Sequence, residues 1–117
     1  MSLDIHIGKT EKEASICNPI FSIDEDLHKN IFLDNQNIFI QNELIIFLNI
    51  LEFYRICSPY EILSSNFKKL NREIKILNSK IDEFLLSKDD SEQFILLLQI
   101  LKKIIKDQKQ NIYFAFD

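Results

Sequence analysis

The chain has 117 residues, 46% of them hydrophobic and 27% charged, with fourteen Lys and Arg against eighteen Asp and Glu and a formal net charge of −4. This length holds one core and is too short for two of ordinary size, while the apolar content exceeds that of a disordered chain, so a single domain over 1–117 is expected. The acidic balance has the wrong sign for gripping phosphate backbones over a wide surface, which sets nucleic acid aside as the expected partner and favours a basic one.

One glycine, Gly8, and two prolines, Pro19 and Pro59, are too few turn-formers for a many-stranded sandwich or barrel, and this argues for helices. In "SLDIHIG", residues 2–8, Leu3, Ile5 and Ile7 alternate with Asp4 and His6; the two-residue period predicts a half-buried strand, ended by Gly8 and the polar "KTEKE". This opening shows no basic leader with a long apolar stretch, and apolar runs such as "LIIFL" and "FILLL" stop at five residues. Neither a signal peptide nor a membrane span is expected, and the chain reads as cytoplasmic. Cys17 and Cys57, forty residues apart and outside any Cys-x-x-Cys spacing, read as free thiols, not metal ligands or a redox pair. Whether "ASICNPIF" adds a third strand stays open, because Pro19 cannot donate to a ladder and would confine it to an edge.

The next segment, "SIDEDLHKNIF", gathers three acids and one of two histidines. Ser22 and Glu25 stand in the S-x-x-E relation of a capping box, Asp24, Glu25 and Asp26 fall in the first turn, and Ile23, Leu27 and Ile31 share a face, so a helix starting at Ser22 is predicted. Asp24 and His28 would then be neighbours at i and i+4, the spacing of a metal or acid/base pair, but two such groups without a third make a weak site. An exposed acidic turn that steers a basic partner is the better use of the same residues. Asp24, Glu25, Asp26 and His28 are accordingly the candidate partner interface, with no catalytic, metal or cofactor residue assigned.

"NELIIFLNILEFYRIC", residues 42–57, is apolar nearly all round except at Asn49, Glu52 and Arg55, and predicts a central helix covered on several sides. After it, Ser58 as N-cap, Pro59 at the first helical position and Glu61 reaching back predict the start of a helix about thirty residues long, roughly 45 Å. Its stripe is Leu63, Phe67, Leu70, Ile74, Leu77, Ile81 and Phe84. A second helix through "DDSEQFILLLQILKKIIKDQKQ" has acids at its start, lysines at its end, and an apolar face of Phe94, Leu97, Leu98, Leu101, Ile104 and Ile105. The short link "SKDDS" predicts that these two form an antiparallel hairpin. The closing "NIYFAFD" alternates again, and since a lone strand leaves its backbone groups unpaired, the terminal strands are expected to pair with each other. The expected fold is mostly α (α+β): three to four helices including a long antiparallel helical hairpin, with the N- and C-terminal strands in a small sheet.

One glycine allows no Gly-rich phosphate loop, and no Ser or Cys nucleophile motif is recognisable, so an enzyme is not expected. Leu3-Asp4-Ile5, the strand, helices, strand order and the small, acidic, motif-poor character resemble immunity proteins of bacterial competition systems, including contact-dependent inhibition. That resemblance implies a non-enzymatic protein that binds a cognate toxin domain, basic in the nuclease case, and occludes its active site; a monomer is expected because in a compact domain a stripe such as Leu63 to Phe84 is more often core than dimer seam. It carries over no functional residue. The alternative is a helical scaffold that self-associates through the Leu63 to Phe84 stripe.

Overall fold

The computed structural model describes residues 2–16, 18–52 and 59–116. Cys17, Arg55, Cys57 and the predicted cap Ser58 lie outside the described residues. The elements are β1 (Ser2–Gly8), α1 (Glu11–Ile16), β2 (Phe21–Asp24), α2 (Glu25–Phe32), α3 (Gln36–Gln41), α4 (Ile45–Glu52), β3 (Tyr60–Ile62), α5 (Phe67–Ser79), α6 (Lys88–Asp107) and β4 (Ile112–Phe116). Short 3-10 turns at Ser64–Asn66 and Ile81–Glu83 bracket α5. The result is a mostly helical molecule around a four-stranded antiparallel sheet of order β2-β1-β4-β3.

The terminal strands pair as their alternation predicts, and they form the middle of the sheet. Ile5 faces Phe116 and Ile7 faces Phe114 across the β1–β4 ladder. Ile5, Phe114 and Ile112 enter the core, joined by Ile62 of β3. By the two-residue period Gly8 shares the opposite face with Asp4 and His6. There α1 crosses so closely that a Cβ on Gly8 would lie 2.3 Å from the Ala14 amide nitrogen, which is why the lone glycine stands at this position. The start of α1 is a cap in "KTEKE" that reads in sequence only as a polar end. The Thr10 hydroxyl accepts from the Glu13 amide at 3.1 Å, and the Glu13 carboxylate accepts from the Lys9 amide at 2.9 Å.

Two predicted helix starts are corrected. Residues 21–24, including Ser22, are strand, and α2 begins at Glu25 with Asp24 in the N-cap place, making no side-chain cap bond. Ser22 does not cap; its hydroxyl donates to the Asp4 carboxylate across the β1–β2 ladder, where the two residues are register partners. Pro59 and Glu61 likewise do not open a thirty-residue helix. Tyr60–Ile62 is the edge strand β3, bonded to β4, and the Glu61 carboxylate accepts from the Asn111 side chain at 2.9 Å. Proline is tolerated beside an edge strand, and the open side of β4 supplies ladder bonds that outweigh a local capping preference.

The long predicted arm is therefore the thirteen-residue α5, not one of thirty. The stripe still points inward where it is helical. Leu70, Ile74 and Leu77 are fully buried and Phe84, past the helix end, is 5% exposed, while Leu63 is exposed. The second arm, read over residues 89–110, is helical over Lys88–Asp107, so Lys109 falls beyond its end, and Ser87 accepts from the Asp90 amide as N-cap at 3.2 Å.

Six α-helices among the described residues exceed the three to four expected, mainly because short ones escape periodicity. Helix α3 is six residues long, and α4 follows after a corner in which Glu43 takes φ 54°. Four phenylalanines from different elements close a ring in the core: Phe39 to Phe47 (6.2 Å between centroids), Phe47 to Phe94 (6.1 Å), Phe94 to Phe84 (5.1 Å) and Phe84 to Phe39 (5.9 Å, edge-on).

Candidate functional site

The acidic corner is built where the outer strand β2 runs straight into α2. Helix α2 buries Leu27, His28, Ile31 and Phe32, spaced to form one face, and this fixes which side chains of the segment turn outward. Asp24, Glu25 and Asp26 are exposed, with Glu25 and Asp26 in the first helical turn, where the macrodipole favours negative charge. His28 is not with them. It is 2% exposed and its ring stacks on Phe32 with centroids 5.8 Å apart, so it belongs to the inner face and is removed from the predicted interface.

The corner is held from behind. Asn30 donates to the Asp90 carboxylate at the start of α6 at 3.2 Å. Asn35, 4% exposed, donates to the Asn30 carbonyl and accepts from the Leu85 amide at 2.9 Å, tying the end of α2 to the segment after α5. A buried amide with both ends bonded fixes the direction of α2 and thereby where the three carboxylates point. Beside them, among the described residues, β2 has β1 as its one neighbour, so its outer backbone groups face away from the sheet. Chemically this arrangement offers fixed negative charge and an open strand edge. His28 is enclosed and so is not placed to exchange protons with a ligand at the surface.

Sequence reasoning missed Glu73. This α5 residue is 3% exposed, and its Oε1 accepts from the Ile46 amide at 3.0 Å in the first turn of α4. Leu44 holds the residue before α4 and has no side-chain acceptor, so Glu73 supplies the cap from another helix. Burial pushes its carboxyl above the ordinary value, and the Ile46 amide, the Lys69 charge and the Phe47 amide oppose that rise. The sequence did carry a signal: Glu73 lies three residues after Leu70 and four before Leu77, on the apolar seam itself.

At the other end of the sheet Glu61, Asn111 and Tyr113 cluster, with the Asn111 side-chain Oδ1 accepting from the Ser64 amide at 2.8 Å. The Tyr113 phenol is raised, first by partial desolvation and then by the Glu61 carboxylate beside it. Among the described residues no group of three or more His, Cys, Asp or Glu gathers to metal-binding distance, and no helix is long and apolar enough to cross a membrane. Comparison with protein-family models, with curated proteins and with solved structures returns no match.

Proposed function

We propose that the chain is a non-enzymatic immunity-type protein, acting as a monomer, that binds a basic toxin domain through Asp24, Glu25 and Asp26 and occludes its active site. The observation that carries this reading is the placement of three exposed carboxylates in succession at the free edge of the sheet, on a helix start anchored from behind by Asn30 and Asn35. Such a corner is rigid, so little ordering is lost on binding, and its charge steers a cationic surface to it. The self-association alternative is the less favoured reading, because Leu70, Ile74 and Leu77 of its stripe pack in the chain's own core.

The test is co-expression with the toxic C-terminal domain of a neighbouring gene. The wild-type chain is expected to form a complex and protect the cell, and the triple reversal D24K/E25K/D26K to slow association at least about tenfold and lose protection while still folded, its thermal melt showing only the loss of about 1–2 kcal/mol that reversed charge at the start of α2 costs. Absence of a complex with the wild-type chain, or full protection by the triple variant, sinks the proposal.

A further inference from the structure

The net charge of −4 conceals a segregation: α5 and the second half of α6 together carry seven of the fourteen Lys and Arg. Their acids are Glu73, which is buried toward α4, and Asp107 at the helix end. Between the first turns of α5 and the last turns of α6 lies a cleft of about 420 Å³, lined by Phe67, Lys68, Asn71, Lys102, Ile105 and Lys106. No acid lines it.

We propose that this cleft binds a small organic anion with an aromatic or short acyl body. Its walls divide into two chemistries. Phe67 is half-buried and Ile105 is 6% exposed, so together they form an apolar floor continuous with the core. Lys68, Lys102 and Lys106 are exposed around it. Lysine stems lie along apolar surface while their ammonium groups reach for water, so each can cover the body of a ligand and meet its charge at the rim. Asn71 adds one amide acceptor and two donors to set orientation.

None of the three lysines joins the single ion pair among the described residues, which is Lys80 with Glu83. Among the described residues no carboxylate is paired with them, so an anion between them meets three cations without displacing one. The volume is in the range of small-molecule sites, about 300–1,000 Å³. Charge alone would suit inorganic phosphate or a nucleic acid equally well; the Phe67 and Ile105 floor is what selects a ligand with an apolar body. This site is separate from the acidic corner and stands or falls without it.

The experiment is a titration of the intact protein with the fluorescent probe anilinonaphthalenesulfonate, with chemical shifts of the α5 and α6 amides as a second readout. Saturable one-to-one binding is expected, with shifts centred on Phe67, Asn71 and Ile105. The neutral analogue N-phenylnaphthylamine should bind at least about tenfold more weakly, because it forfeits the charge-assisted contacts. The exposed-residue variant K102Q/K106Q should weaken the probe by a similar factor with an unchanged circular dichroism spectrum, and Asn71→Glu should abolish binding. Lys12→Gln and Lys29→Gln, on α1 and α2, should leave it as in the wild type. Equal affinity for the neutral analogue, or undiminished binding by K102Q/K106Q, overturns the proposal. So does displacement of the probe by inorganic phosphate or an oligonucleotide at comparable concentration, which would assign the lysines to a surface that reads phosphate charge alone.

Discussion

Glu73 shows how one side chain can set the acid response of a small fold. One carboxyl oxygen holds the Ile46 amide, while the other makes no hydrogen bond among the described residues, so the charged form is held less well inside than in water. With its folded value raised above the ordinary 4.5, the native state keeps the proton that the unfolded chain has lost. Stability from this group is thus greatest below 4.5 and declines as pH rises through the folded value. Glu73→Gln keeps an acceptor for Ile46 and removes the titration; in urea melts it should match the wild type in acid, exceed it near neutral pH, and flatten the profile between. Glu73→Leu should lose about 1–3 kcal/mol near neutral pH by leaving the Ile46 amide without its acceptor. Equal pH profiles for wild type and Glu73→Gln would remove Glu73 from this role. The position was visible as a charge on an apolar seam, but its partner was not, since Ile46 is 27 residues away and no local pattern links a helix start to a side chain on another helix.

At the scale of elements, long periodic segments and the terminal alternations were legible, and short elements defined by distant partners were not. Helix α6 was readable because twenty residues repeat one face and both ends match the dipole. Ser22 and Glu61 were misread for a common reason: a polar side chain near a helical pattern satisfies a capping rule equally well when its real partner is Asp4 or Asn111, outside that segment. At the acidic corner the exposed carboxylates followed from composition, whereas the burial of His28 required knowing that α2 starts at Glu25 and turns that ring toward Phe32. The contact of α1 with β1 gives an element-level prediction. In Gly8→Ala the new methyl meets backbone, the Ala14 nitrogen at 2.3 Å and the Glu13 carbonyl carbon at 2.7 Å, so the helix and not a side chain has to move. A loss of about 1–3 kcal/mol is expected in equilibrium unfolding, and a variant as stable as the wild type would show that α1 is free to lift.

For the whole molecule, the phenylalanine ring joins α3, α4, α6 and the segment after α5, so the helical part cannot be repacked one helix at a time. Phe94→Ala and Phe47→Ala should each cost about 3–5 kcal/mol, a large share of a small domain's stability. The double variant should fall short of the sum by more than about 0.5 kcal/mol, because the two rings touch. Strict additivity in denaturant titrations would mean that Phe47 and Phe94 contribute independently. Charge is divided at the same scale, carboxylates at the β2–α2 corner and lysines along α5 and α6, so salt should affect partners at the two ends independently. The pairing of β1 with β4 has a further consequence, for synthesis on the ribosome. β1, in the middle of the sheet, is made before β4 and has to wait for residues 112–116 before its ladder on that side can form. Until then its inward-facing Ile5 and Ile7 and its free backbone groups are open to other chains, an interval in which a chaperone or a neighbouring nascent copy competes with the chain's own tail.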